Sequence, residues 1–396
     1  MRRKILVFGC GELQESLISN AKLLGYYVIG LDIKNDVAAK NLCDRFFVIP
    51  GDDFNATCKL VEEFQIDGLI TSATDRPLEM MAKISEKYSF VFPTLEAIKN
   101  TTNKHLLKNI LIKNNIPTAN ATLLENISEI KNINQFSYPL IVKPVDNSGS
   151  RGVIYCSDAT SLIESLHKAL YYSNVKKVLV EEYIGGEEYS IESLIFKNNV
   201  SVIQITKKET TAPPYNVELA HKQPAQLNPI IYNRILEVVK KMASALELNN
   251  CACHTETKVY NGIPYIIENG ARLGGDYITS HLTPLSSGVN MEQQLLKICI
   301  GEPFVCPMIE QNYAYIKYFH FPEGIVEFDQ DKLSEIIHPN LVKLEFKLSS
   351  GQRIPRITNS MDRYGFIIVN GHNKSEVEDS MNFLMNEIHK VIIIRQ

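Results

Sequence analysis

Two glutamates twelve residues apart, Glu256 and Glu268, and an arginine four residues further on, Arg272, are the side chains of this chain whose types and spacing could do chemistry together. They lie in residues 254–276, HTETKVYNGIPYIIENGARLGGD. Side chains on a strand alternate faces. In CACHTETKV, Ala252, His254, Glu256 and Lys258 therefore share one face, and Cys251, Cys253, Thr255, Thr257 and Val259 share the other. The first set is too polar for a core, so that face is expected to look into a cleft. Asn261-Gly262 supplies a two-residue hairpin turn, and the returning strand, residues 264–268, is apolar until it ends on Glu268. The two carboxylates then stand near one sheet edge. Held close, they repel unless a cation or a proton lies between them. A hard dication such as Mg²⁺ takes one or two carboxylates plus substrate phosphates. Arg272, followed by Leu273-Gly274-Gly275-Asp276, suits a phosphate or carboxylate anion. The competing interpretation makes Glu256 and Glu268 solvated strand ends and Arg272 their salt-bridge partner.

The rest of the chain must position these groups. Its 396 residues suggest two to four structural units. A net charge of −4 argues against nucleic acid as the main partner, which usually demands a basic face. No apolar run approaches the ~20 residues needed to span a bilayer, and the short apolar run of MRRKILVFGCG leads into a turn rather than a signal-peptide cleavage site. The eight cysteines have no framework spacing and read as free thiols of a reducing, cytoplasmic setting. Cys251-Ala252-Cys253-His254 could hint at zinc, but two cysteines on one strand face are more often packing residues.

Residues 4–8 read as a buried strand, Gly9-Cys10-Gly11 as a turn, residues 12–24 as a helix, and residues 27–31 as a strand ending in Asp32. This mimics a dinucleotide fingerprint. Gln14, however, stands where the third glycine would allow close helix–strand approach, so NAD is not the expected cofactor. Strands at 46–49 and 68–71 continue a parallel sheet. They place Thr71-Ser72-Ala73-Thr74-Asp75 at a strand's C-terminal end, where open α/β sheets bind ligands. Residues 95–114 read as one polar helix containing Asn103-Lys104. YPLIVKP, residues 138–144, is a strand ending on Lys143. The loop that follows, Asp146 through Gly152 with Ser148, Gly149 and Ser150, offers backbone N–H groups to phosphate oxygens. A strand at 178–181 leads into Glu181-Glu182-Tyr183-Ile184-Gly185-Gly186-Glu187-Glu188. Strands at 189–196 and 200–205 precede a long polar loop, 207–226, with Pro213, Pro214, Glu218 and His221; loops this long are usually functional or disordered. Helices are expected at 231–246 and about 291–300. Short strands at 313–319, 341–346 and 366–369 and a helix aligning Val377, Met381, Leu384 and Ile388 complete an α+β end with no evident catalytic cluster.

Taken in order, these pieces resemble the ATP-grasp superfamily over about the first 300 residues. The chain is most similar to its carboxylate–amine ligases near the L-amino-acid (dipeptide) ligases, biotin carboxylase and carbamoyl-phosphate synthase; DGLITSATDRP and ENGARLGGD carry that closer likeness. The resemblance implies an α/β (α+β) chain in three parts. These are a Rossmann-like pre-ATP-grasp domain over 1–95, a two-lobed ATP-grasp domain over 96–304 with a small mobile lobe at about 118–187, and a small α+β C-terminal domain over 305–396.

By the same resemblance Lys104 and Lys143 would contact the nucleotide phosphates, with the 146–152 loop (Ser148, Gly149, Ser150) closing over them. Glu181, Glu182, Tyr183 and Ile184 would border the adenine, and Glu188 would bind the ribose hydroxyls. Glu256 and Glu268 would hold one or two Mg²⁺, with Mn²⁺ as the alternative ion, and Arg272 would face the substrate carboxylate or its acyl-phosphate. The family's metal motif is commonly E-x-N-x-R, whereas here Gly270 takes the Asn position and Asn269 points to the other face of a regular strand. The implied reaction activates a carboxylate of an amino acid or related small acid with ATP and joins it to an amine. Glu218 would hold the substrate ammonium, His221 and His254 would lie nearby, and the 146–152 and 207–226 loops would act as lids. The partners are small molecules, with neither nucleic acid nor membrane, and homodimers are common in such families. The other readings are a bicarbonate-activating carboxylase-like enzyme and a nucleotide binder without turnover.

Overall fold

The computed structural model describes residues 2–133, 135–147 and 149–395. The chain opens with β1 (Lys4–Phe8), α1 (Glu15–Leu23), β2 (Tyr27–Asp32), β3 (Arg45–Val48), α2 (Phe54–Phe64), β4 (Gly68–Ile70) and α3 (Leu78–Tyr88). The four strands form a parallel sheet of order β3-β2-β1-β4, a Rossmann-like arrangement. Its first turn is closed from within. Gln14 Oε1 accepts from the Gly11 N–H at 3.0 Å, and Gln14 Nε2 donates to the Ser72 carbonyl at 2.7 Å. Asp32 Oδ2 accepts from the Cys10 N–H at 2.9 Å. The glutamine thus fills the approach that a pyrophosphate would need, and the acidic residue is spent on the turn.

The expected single helix over 95–114 is two helices, α4 (Leu95–Thr102) and α5 (Lys104–Lys113). Asn103 is extended and caps α5, accepting from the His105 and Leu106 N–H groups. Asparagine competes with the helix for its own backbone groups and so favours the cap. The break turns Lys104 toward the cleft.

A four-stranded antiparallel sheet follows, from β5 (Ala121–Leu124), β6 (Leu140–Pro144), β7 (Ile154–Cys156) and β8 (Val178–Glu182), in the order β5-β8-β6-β7. α6 (Ala159–Tyr172) covers it, and Leu162, Leu166 and Ala169 pack on Val142 and Val180.

The largest sheet has eight strands. It uses β9 (Glu187–Phe196), β10 (Asn199–Thr210), β11 (Glu218–Gln223), β12 (Cys251–Tyr260) and β13 (Ile263–Gly270), with α7 (Pro229–Ala245) between β11 and β12. After α8 (Thr283–Ser287) and α9 (Met291–Cys299) come β14 (Tyr313–Tyr318), β15 (Gly324–Glu327), α10 (Gln330–Ser334), β16 (Leu341–Phe346), β17 (Arg353–Ile354), β18 (Gly365–Gly371), α11 (Lys374–Val391) and β19 (Ile393–Arg395). The eight-stranded order is β13-β12-β9-β10-β11-β14-β18-β16, so three strands beyond residue 304 extend the sheet that carries β12. β15, β17 and β19 make a separate small sheet.

The expected long loop over 207–226 is mostly strand. β10 runs to Thr210, and β11 pairs with it through Lys207↔Lys222 and Lys208↔His221. Polarity misled the reading: these strands face a buried charged site, and their inward residues are themselves charged or polar. The connection between Thr210 and Glu218 and the residues 224–226 after β11 remain irregular.

Candidate active site

The β12–β13 hairpin turns at Asn261-Gly262, both with positive φ (50° and 74°), as a tight right-twisted hairpin requires. Its register sets Glu256 directly opposite Glu268, His254 opposite Gly270 and Thr255 opposite Asn269. Asn269 sits on the far face, where its Oδ1 accepts from Thr255 Oγ1 at 3.0 Å and Cys253 Sγ at 2.8 Å. Asn269 is therefore no substitute ligand for the cleft side. The glycine at 270 has a physical reason. A Cβ there would lie 2.9 Å from Asp75 Oδ1. Asp75 enters from the first sheet because Ser72 bridges to Leu273. It clamps Arg272, taking Nε on Oδ1 at 2.9 Å and Nη2 on Oδ2 at 3.1 Å. Burial opposes ionisation of Asp75, but Arg272 holds its carboxyl below the ordinary range.

On β9, Glu188, Ser190 and Glu192 share the cleft face and register against Lys258, Glu256 and His254 of β12. On β10, Gln204, Thr206 and Lys208 take the same face and are buried. Lys208 is the centre of the array. Its ammonium lies 2.9 Å from Glu188 Oε1, 2.9 Å from Glu256 Oε1 and 3.3 Å from Glu218 Oε1. Burial alone would discharge it; Glu256, Glu188 and Glu218 instead raise its pKa well above that of a free lysine. Glu256 is held well below the carboxylate range, burial being outweighed by Lys208 and His254. Glu268 pairs with Lys104 Nζ at 2.6 Å.

His254 Nδ1 is 2.6 Å from Glu192 Oε1, and its Nε2 is 3.6 Å from Glu256 Oε1. Burial lowers the imidazole's pKa, but Glu192 more than offsets this and lifts it to about 9. Gly274 packs against this pair: a Cβ there would meet His254 Nδ1 at 2.7 Å and Glu192 Oε2 at 2.8 Å. Glu218 has both oxygens engaged, one by Lys208 and the other by the Ser360 hydroxyl at 3.0 Å. His221 Nε2 is 3.4 Å from Asp276, which also receives Arg363 at 2.7 and 2.8 Å. Arg363 lies 3.8 Å above the Tyr318 ring. The C-terminal segment, expected to hold no catalytic cluster, thus lends Ser360 and Arg363 to the cleft.

A second charged cluster forms where α5 meets the four-stranded sheet. Lys143, near the end of β6, lies 2.7 Å from Glu181 Oε1; Lys108 lies 3.4 Å from Glu181 Oε2. Burial draws Lys108 down to about 8, against the pull of Glu181. Glu181 is therefore buried and spent on two lysines, while Glu182, Tyr183 and Ile184 are only half-buried. Tyr183 is sandwiched by Lys258 at 4.8 Å and by the Tyr155 ring at 5.1 Å. In the 146–152 loop, Gly149 is exposed and Ser150 half-buried, both with positive φ (67° and 57°); Ser148 lies outside the described residues. The loop is anchored at its base by Asp146, which accepts from Ser173 Oγ and the Asn174 and Val175 N–H groups.

The array brings Lys104, Glu188, Glu218, His254, Glu256, Glu268 and Arg272 together along one cleft. Lys108, Glu192, Lys208 and Arg363 are additions. Glu192 and Lys208 were legible by the alternation that exposed His254 and Glu256. Lys108 and Arg363 carry no local signal. Among the described residues, no group of three His, Cys, Asp or Glu side chains gathers as a metal site. Two facing carboxylates do fit a hard dication whose remaining ligands are phosphate oxygens and water.

Residues 136–280 match the family model described as the ATP-grasp domain. An uncharacterized protein, y4rH, of Sinorhizobium fredii (strain NBRC 101917 / NGR234) is 26% identical over 328 residues, which cover 81% of this chain and 67% of that protein. A formate-dependent phosphoribosylglycinamide formyltransferase of Prochlorococcus marinus (strain MIT 9515) is 27% identical over 189 residues, covering 47% and 48%. The chain spans about half to two thirds of the length of these relatives. The crystal structure of an L-amino acid ligase from Bacillus licheniformis superposes with a TM-score of 0.83 over 100% of this chain and 99% of that one, at 22% identity, a likeness of fold. No helix among the described residues is long and apolar enough to cross a membrane.

Proposed function

We propose, from the premise that this chain carries an ATP-grasp domain, that it is an ADP-forming carboxylate–amine ligase acting on an amino acid or related small acid. The observation that carries this reading is the facing pair Glu256 and Glu268, with Lys104 on one side and the Asp75-clamped Arg272 on the other. Carboxylates are poor electrophiles. Transfer of the γ-phosphoryl group turns one into an acyl-phosphate, which an amine attacks with loss of phosphate. Glu256 and Glu268 would hold Mg²⁺, with Mn²⁺ as the alternative, which would supply charge neutralisation at the phosphates.

The chain's own residues do the positioning. Lys143 and Lys104 take phosphate oxygens. Glu188 accepts from the ribose hydroxyls, and Glu182, Tyr183 and Ile184 line the base, while Glu181 holds Lys143 and Lys108 behind them. Arg272, pre-oriented by Asp75, receives the reacting carboxylate as a planar donor. Glu218 would hold the substrate ammonium, with His221 nearby, once Lys208 or Ser360 is displaced from it. Closure of the small lobe, about residues 118–187, onto the eight-stranded sheet excludes water from the acyl-phosphate. The division at 1–95, 96–304 and 305–396, assembly as a homodimer and a cytoplasmic setting belong to the same proposal.

The test is ADP and phosphate release with Mg²⁺-ATP against pooled L-amino acids, D-amino acids, dicarboxylates, formate and bicarbonate, with and without amines. Release that requires both a carboxylate and an amine supports the ligase. Release with bicarbonate alone moves the enzyme to the carboxylase-like class, and background release across every pool refutes both.

A further inference from the structure

We infer that Cys10 and Cys43 form an oxidisable thiol pair that closes to a disulfide when the protein meets a hydroperoxide. Cys10 is buried in the Gly9-Cys10-Gly11 turn, and Cys43 is half-buried just ahead of β3. Both sulfurs converge on the bare Cα of Gly30 in β2. A Cβ on Gly30 would lie 2.5 Å from Cys43 Sγ and 2.7 Å from Cys10 Sγ, so the sulfurs can be no further apart than the sum of those distances. The missing side chain is the space into which they turn. Ala39 holds the two segments together: its N–H donates to the Cys10 carbonyl at 2.9 Å, and its carbonyl accepts from Cys43 Sγ at 3.7 Å.

The two thiols are unequal. A hydrogen bond from Cys10 favours the Cys43 thiolate, against burial and Asp44, and Lys22 adds to it. Cys10 is driven the other way by the same hydrogen bond and by burial. That is the division between an attacking thiolate and a resolving thiol. The Cys43 thiolate attacks the peroxide, the O–O bond breaks, and hydroxide leaves; Cys43 becomes a sulfenic acid. Cys10 sulfur then attacks the Cys43 sulfur, and the sulfenic oxygen departs as water with the Cys10 proton. Two thiols have lost two electrons to the peroxide. The cross-link ties the β1–α1 turn to the β2–β3 connection. Gln14 of the same turn reaches the Ser72 carbonyl, so the tie reaches the segment that presents Asp75.

The experiment treats the native full-length chain with hydrogen peroxide, alkylates the remaining thiols, and maps the digest by mass spectrometry. We expect a Cys10–Cys43 linked peptide that dithiothreitol abolishes, and a rise in melting temperature of the oxidised chain. Cys10→Ser should trap a dimedone-reactive sulfenic acid on Cys43. Gly30→Ala should lose the linked peptide, and Cys10→Ser carries the test if that variant does not fold. The inference is overturned if both thiols remain alkylatable under peroxide that oxidises free glutathione, or if either pairs with another cysteine instead.

Discussion

Two glycine-bearing turns of this molecule look alike in sequence and differ in what their polar groups touch. At Gly9–Gly11, a neutral glutamine closes the turn with short hydrogen bonds to Gly11 and Ser72. Both ends of that amide are occupied within the chain. At residues 254–276, every carboxylate is matched by a cation, Glu268 by Lys104, Glu256 by Lys208 and Asp276 by Arg363, and Arg272 is matched by Asp75 from the first sheet. Such pairs can exchange partners when a charged substrate and its metal arrive. Buried charge that is paired but exchangeable marks a site better than a glycine spacing does.

The comparison can be broken where it is most exposed. Glu268→Ala should cut ADP release by about 10³-fold or more, because several kcal/mol of charge stabilisation at the phosphates goes with it. Near-wild-type turnover would mean the facing carboxylates are ordinary strand residues. Lys208→Met should follow. It leaves Glu188, Glu218 and Glu256 clustered without their shared ammonium, and removing one partner of a buried ion cluster costs about 3–5 kcal/mol. Thermal denaturation and turnover should both fall, and Lys208→Arg should recover stability first. A Lys208→Met enzyme as stable as its parent would remove Lys208 from the centre of the account.

Asp75→Asn should act on one side of the cleft only. It loosens Arg272, so the KM for the carboxylate should rise about tenfold while ATP affinity holds. A loss confined to ATP binding would contradict the placement of Arg272. Lys108 offers a pH signature. Its folded pKa, about 8, is below the usual 10.5 of an unfolded lysine. Between those values the unfolded chain binds more protons, so this group's contribution to stability rises with pH. The stability of the parent relative to Lys108→Met should therefore increase from pH 7 to pH 10, as chemical denaturation would read; a flat or falling difference would contradict it. The smallest effect belongs to the other turn. Gln14→Ala should cost about 1–3 kcal/mol by orphaning buried backbone groups, with ATP affinity unchanged and no NADH binding gained by fluorescence titration.

Much of this was legible because strands enforce a period of two. The alternation in CACHTETKV exposed His254, Glu256 and Lys258, and the Asn-Gly turn set Glu268 against Glu256. The final helix was readable from Val377, Met381, Leu384 and Ile388, all buried. Other features depend on pairings the chain order does not reveal. β11 was hidden because its inward residues, including His221 and Gln223, are polar and look like a loop. The break at Asn103 was misread because the residues on both sides favour helix, and only the cap distinguishes two helices from one. Arg363 reaches Asp276 across 87 residues because β14 and β18 extend the same sheet, a neighbourhood no local pattern encodes.

The most direct test of the acyl-phosphate claim is isotopic. Once a carboxylate substrate is found, it is supplied with both oxygens as oxygen-18, together with Mg²⁺-ATP and the amine, and the released phosphate is weighed by mass spectrometry. Activation through an acyl-phosphate predicts one heavy oxygen in each phosphate and one left in the amide product. Unlabelled phosphate would contradict it and would assign the ATP turnover to hydrolysis uncoupled from the carboxylate.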